Sequence, residues 1–353
     1  MYLMAVDLSK LVSKRKITFE ELNGKTVAID AYNVLYQFLS IIRQPDGTPL
    51  MDSHNNVTSH LSGIFYRTIE ILEYGIKPIY IFDGLPSMLK QKTIQARMQR
   101  REEAQRAWEL AKAAGEVEEA RMYAQASTRV NKYVVESSKQ LLECMGIPYI
   151  NAPSEGEAQA SLMCKNGLVY ATASQDYDTL LFGSTYVVRN LTFSGRRKLP
   201  RKNVFINVEP EIVDFNETLK SLGLTQKQLI WVGILIGTDF NMGIKGVGPK
   251  TALKIAKSSK NIDDIKSYVK EKFNQEFELD VRDVEQLFLN PETKDITKTD
   301  MLSLFNDKFN KEKIIEFMCR EHDFSNDRID KFADKLGTIN KESRQRSIEK
   351  WFK

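Results

Sequence analysis

Short β-branched runs that stop at an acidic residue recur along this chain, and they constrain its fold more than any other feature. TVAI ends at Asp30 and IYIF ends at Asp83. IPYINAPS leads into Glu155 and Glu157, and VYATASQ leads into Asp176 and Asp178. Between these runs lie stretches with helical spacing. In TSHLSGIFYRTIEILEYG, Leu61, Ile64, Phe65, Ile69 and Leu72 share one face, and Gly75 supplies a stop. Strands alternating with helices predict an α/β fold, a mostly parallel central sheet with helices on both faces. Binding sites in such sheets form beyond the carboxyl ends of the strands.

The remainder of the chain reads as helix and turn. From Ser87 to Ile147 there is no proline, and Gly115 and Gly146 are the only glycines, so this stretch is expected to form long exposed helices. LTQKQLIWVGILIGTDF opens on a capping box, Thr225 with Gln228, and is expected to run as an apolar helix to near Asp239. A glycine hairpin follows, then a mostly helical region to about residue 337, then a polar tail. The expected divisions are 1–105, 106–260, 261–337 and 338–353.

Composition removes several classes. With 42% hydrophobic residues in 353, the chain can bury a full core. The longest strongly apolar run, Leu229 to Gly237, is about half of a bilayer span. Asp7 interrupts the opening MYLMAVDLSK where a secretory signal would stay apolar. Three scattered cysteines form no disulfide framework, and three histidines form no HExxH pair. A soluble protein of a reducing, cytoplasmic compartment is expected, and any metal should be a hard cation held by oxygen. The net charge is +4, so seven carboxylates drawn into one site would leave a basic exterior suited to a polyanion.

Those seven are Asp30, Asp83, Glu155, Glu157, Asp176, Asp178 and Asp239, delivered by five separate elements. Singly, an Asp after a strand is usually a turn residue, and Glu157 also completes a capping box with Ser154. Together, clustered like charges are costly without a counter-cation. Two Mg²⁺ ions about 4 Å apart would serve in-line displacement at phosphorus. Glu155 and Glu157 converge only if the chain is still entering its helix there. The reading is a metal-dependent phosphodiesterase acting on nucleic acid.

Three further segments bear on this. GIKGVGPKT is not a Walker A loop, because Pro249 stands where the lysine belongs. It reads as a helix–hairpin–helix turn in which Gly246 and Gly248 let backbone N–H groups reach a DNA phosphate, the alternative being a purely structural turn. Lys90 and Arg97 lie two helical turns apart and would share a face pointing back towards Asp83, although a solvated charged helix is the default for such composition. The chain ends SRQRSIEKWFK, in which Gln345, Ile348, Trp351 and Phe352 spell Q-x-x-I-x-x-W-F. An exposed Trp–Phe pair at a terminus calls for a docking partner, or for the chain's own core.

Taken in order, AIDAYNVLYQFL, TSHLSGIFYRTI, YIFDG, MGIPYINAPSEGEAQA, ASQDYDTLLFG, GILIGTDF, GIKGVGPKTA and the terminal motif resemble the flap endonuclease family of structure-specific 5′ nucleases, archaeal members in particular. The resemblance implies Asp30, Asp83, Glu155 and Glu157 around one Mg²⁺, and Asp176, Asp178 and Asp239 around the other, with Glu157 able to serve both; Mn²⁺ is expected to substitute. It implies that Lys90 and Arg97 contact the scissile phosphate from a helical gateway and that Tyr36 stacks on a nucleotide. Gly246 and Gly248, with Lys250, would grip duplex, with a K⁺ ion at the hairpin, and Arg43 and Arg67 are added as expected DNA contacts. The tail resembles a peptide that plugs into the DNA sliding clamp. The implied enzyme is a monomeric, nucleoid-associated 5′ flap endonuclease and 5′–3′ exonuclease of Okazaki-fragment maturation and base-excision repair. The alternatives are a related 5′ nuclease preferring gaps, nicks or bubbles, and a non-catalytic junction-binding scaffold. The chain departs from the family in opening MYLMAV rather than Met-Gly, and in carrying Leu85 after FDG.

Overall fold

The computed structural model describes residues 6–193, 195–198, 205–305 and 309–349. Among them, one seven-stranded sheet organises the fold. Its strands are β1 (Lys14–Lys16), β2 (Thr26–Asp30), β3 (Lys77–Phe82), β4 (Tyr149–Asn151), β5 (Ala171–Ala173), β6 (Tyr186–Arg189) and β9 (Glu211–Asp214), and β7 (Gly195–Lys198) pairs with β8 (Phe205–Val208) as a separate hairpin. The order is β1-β9-β6-β5-β2-β3-β4. Strands β6, β5, β2, β3 and β4 are mutually parallel, whereas β9 and β1 close one edge antiparallel. The sheet is therefore mixed, with its parallel part at the centre.

Period-two alternation explains why both faces are covered. Val27, Ile29, Tyr80 and Phe82 face one helical layer, while Ala28, Ile79 and Ile81 face the other. The first layer holds α1 (Ala31–Ile41), α2 (Ser59–Glu73) and α5 (Lys132–Met145). The second holds α6 (Gly156–Lys165), α7 (Asp178–Leu181), α9 (Gln226–Ile236), α10 (Pro249–Ser258) and α12 (Val281–Leu289). Thr225 and Gln228 form the expected capping box of α9.

Three expectations change. Helix α5 is not an exposed arch helix: Val134, Leu141, Leu142 and Met145 are buried against the sheet layer. Only α3 (Gln91–Ala113) and α4 (Val117–Ala126) form the exposed, mutually packed pair. Helix α9 stops at Ile236, so Asp239 sits in the turn between β10 (Gly237–Thr238) and β11 (Asn241–Met242). The segment expected as a polar tail from residue 338 begins inside a long helix, Asn326–Glu349, anchored by buried Ile329, Ala333 and Leu336. Among the described residues no helix is long and apolar enough to cross a membrane.

Candidate active site

Parallel register brings the acids together. Asp30 pairs with Ile81 across β2 and β3, and Ile81 pairs with Ile150 on β4, so the carboxyl ends of the three strands lie side by side. Asp30 is the N-cap of α1 and accepts a hydrogen bond from Asn33 N at 3.0 Å. Asp83, one residue beyond β3, accepts from Gly156 N at 2.7 Å. Glu155 is the extended N-cap of α6 and Glu157 lies in its first turn. The chain is thus still entering the helix at Glu155, which is what lets both carboxylates approach one region. Asp176 follows β5, Asp178 opens α7, and Val6 N donates to Asp178 at 3.3 Å.

Two polar residues that sequence reasoning passed over hold this arrangement. Ser174 Oγ lies 2.8 Å from Glu157 and 3.2 Å from Asp30, while Asn33 Nδ2 donates to Asp176 at 3.1 Å. Their positions just past Asp30 and just before Asp176 were the available signal. A serine has one hydroxyl hydrogen, so it cannot satisfy two ionised carboxylates at once.

The electrostatics express the same crowding. Burial first, and then the neighbouring Asp83, pushes Asp30 up to about 7. Burial followed by Asp239 raises Asp176 to about 6, and burial raises Asp83 to about 6 although Lys90 opposes it. Glu157 and Asp178 are raised well above the ordinary carboxylate range, again chiefly by burial and then by other acids of the group.

Cations answer part of this charge. Lys90 pairs with Glu155 and lies 3.6 Å from Asp239, and Arg97 pairs with Asp239. Burial alone would lower the Lys90 pKa, but Glu155, Asp239 and Asp83 together raise it. Both residues come from the gateway segment that precedes and forms α3, so that segment closes over the acids.

The donor set suits a hard divalent cation. It is all oxygen, burial disfavours the charge of Asp30, Asp83, Glu157, Asp176 and Asp178, and Glu155 Oε1 is buried without a hydrogen-bond partner. As the side chains stand, with Lys90 and Arg97 between them, no three His, Cys, Asp or Glu among the described residues converge at ion-holding spacing.

The other expected residues take varied places. The half-buried Tyr36 ring lies 5.5 Å from the Arg101 guanidinium of α3. Arg43 donates to Leu39 O, Gly47 O and Thr128 Oγ1 at 2.7–2.9 Å, which braces a loop, and Arg67 pairs with Glu70 at 2.6 Å. In the glycine hairpin, Gly246 has φ +89°, Gly248 caps α10, Pro249 occupies its first turn, and Lys250 is exposed beside them. Gln275 clasps this hairpin through both backbone groups of Lys245 at 3.0 Å. Gln345 and Ile348 fall on the long C-terminal helix, whose side chains there are not described, and Trp351 and Phe352 lie outside the described residues.

A doubly covered sheet with an acidic rim, closed by a basic helical gateway and followed by a glycine hairpin, defines a nuclease of the XPG kind. The XPG N-terminal domain matches residues 4–104 and the XPG I-region matches residues 146–239. Flap endonuclease 1 of Pyrococcus furiosus is 49% identical over 351 residues, covering 99% of this chain and all of that one. Flap endonuclease 1 of Saccharolobus solfataricus is 48% identical, over 98% of this chain and all of that one. The solved structure of flap endonuclease-1 from Methanococcus jannaschii matches with a TM-score of 0.73 at 39% identity, over 96% of this chain and 99% of that chain. The chain belongs to the flap endonuclease family.

Proposed function

We propose that this protein is a Mg²⁺-dependent 5′ flap endonuclease with 5′–3′ exonuclease activity, cutting branched DNA at the base of a single-stranded 5′ flap. One observation supports the reading: carboxylates from five elements crowd around the carboxyl rim of a parallel sheet, short of ion-holding spacing as they stand, with Lys90 and Arg97 of the gateway reaching into them. Asp30, Asp83, Glu155 and Glu157 would hold one Mg²⁺, and Asp176, Asp178 and Asp239 the other. Such a pair supplies Lewis-acid stabilisation of charge at phosphorus when bound, and Mn²⁺ can replace it.

The chain's own residues account for the rest. Lys90 and Arg97 exchange their carboxylate partners for the scissile phosphate and offset its developing negative charge. Ser174 and Asn33 hold Asp30, Glu157 and Asp176 in place for in-line geometry. Water adds to phosphorus, the P–O3′ bond breaks and O3′ takes a proton, leaving 5′-phosphate and 3′-hydroxyl ends. Tyr36 stacks on the nucleotide beside the cut. Gly246, Gly248 and Lys250 hold downstream duplex through backbone N–H groups, where a K⁺ ion would offset the phosphate charge, and Arg43 and Arg67 approach the junction.

The biological setting we assign is Okazaki-fragment maturation and base-excision repair, by a cytoplasmic, nucleoid-associated monomer whose terminal Q-x-x-I-x-x-W-F peptide docks on the sliding clamp. Cleavage of a double-flap substrate with and without Mg²⁺, beside nicked, gapped and bubble DNA, tests the reading. Flap cleavage that needs Mg²⁺ and exceeds the others supports it. Metal-independent cleavage, or none, overturns it.

A further inference from the structure

Beside the acid cluster, the loop between β3 and Lys90 carries an apolar ledge. Leu85 is 83% exposed and Met88 is 76% exposed, among the largest exposures of apolar side chains in the described residues. Beneath the ledge lies a cleft of about 330 Å³, with Pro86, Ala158, Leu287 and Pro291 on its apolar walls. Glu155 and Glu292 also line it, and Glu155 is shared with the acid cluster, so the cleft is continuous with the site.

The chemistry of this lining selects its occupant. Among the described residues no Lys or Arg lines the cleft, and two carboxylates do, which repels a phosphate. A nucleobase offers the opposite properties: apolar faces, no charge, and N–H donors on its edge of the kind that Glu accepts. Leu, Met and Pro are also the side chains that wedge against bases and unstack them.

Resting on the nuclease reading above, we propose that the Leu85–Met88 ledge and the cleft beneath it receive the base of an unpaired nucleotide next to the scissile phosphate. Leu85 and Met88 are then specificity-determining residues that favour a frayed end over paired duplex.

The test uses flap DNA with 2-aminopurine at that nucleotide, bound in EDTA so that no cleavage occurs. Wild-type protein should change the emission of the probe. The exposed double substitution Leu85→Ser with Met88→Ser should abolish that change and raise Kd about tenfold, the scale of one lost base-stacking contact. An abasic site at the same nucleotide should weaken wild-type binding equally, with no further loss when both are combined. Equal affinity of wild type and variant for intact and abasic DNA would overturn the proposal while leaving the nuclease reading standing. Failure of the wild type to prefer flap over linear duplex would instead overturn the nuclease reading itself.

Discussion

Gly156 N donates to Asp83 Oδ1 at 2.7 Å, tying the first turn of α6 to the loop after β3. A Cβ at position 156 would meet that same oxygen at 2.7 Å and the Ile81 carbonyl at 3.2 Å. The Asp83 carboxylate would have to swing away and give up this hydrogen bond, and the Ile81 carbonyl would have to shift slightly. Gly156→Ala should therefore cost about 1–3 kcal/mol of stability and cut turnover at least tenfold, measured by urea unfolding and single-turnover cleavage.

Asp178 is buried among acids, and burial, Asp239 and Asp176 all disfavour its charge. Asp178→Asn removes that repulsion. In EDTA the variant should melt about 2 °C higher than wild type, whereas added Mg²⁺ should stabilise wild type more. Its turnover should fall by orders of magnitude with flap affinity largely kept. Equal activity of the two proteins would end the metal assignment.

Gly246 has φ +89°, and a Cβ there would touch nothing. Only backbone conformation is at stake, so Gly246→Ala should cost about 1–2 kcal/mol locally. Duplex affinity should drop more than global stability, read by anisotropy on blunt duplex against thermal melting.

Asp52 accepts from His322 Nδ1 at 2.9 Å, from Asn56 N at 2.8 Å and from His54 N at 3.0 Å. Burial opposes its charge, but these donors prevail and hold its pKa at about 2 against an ordinary 3.8. A lowered folded pKa gives stability that is complete above the ordinary value and disappears as pH falls from about 4 towards 2. Asp52→Asn should be less stable at neutral pH, and its deficit should shrink across that window. A deficit constant with pH would refute the pairing.

Trp351 and Phe352 end the terminal motif. Replacing both with Ala should lower affinity for the sliding clamp at least tenfold by surface plasmon resonance, because aromatic anchors dominate such contacts. Unchanged affinity would assign them elsewhere.

Much of this site could be read before any coordinates. Asp30, Asp83, Asp176 and Asp178 stood out because buried parallel strands are apolar runs, and the residues after them sit at one rim. Ser174 and Asn33 did not stand out, since a serine or asparagine in a turn looks the same whether it caps backbone or orients a carboxylate. Helix α5 differs from α3 in a way the sequence already carries: Val134, Ser138, Leu141 and Met145 recur at helical spacing and form the face that packs inward, whereas α3 has no such stripe. The long C-terminal helix was hidden by its polar composition.

Local pattern by itself determined the alternation of strands and helices, the capping of α9 and which acids follow the strands. These depend on near-neighbour sterics and hydrophobic period, which any stretch of chain carries within itself. Tertiary structure alone decided that Lys90 pairs with Glu155 and Arg97 with Asp239, that Ser174 stands between Asp30 and Glu157, and that the sheet closes with two antiparallel strands. Those outcomes depend on burial and on charges brought together from distant positions, and solvent is removed from between them only when the whole chain has packed.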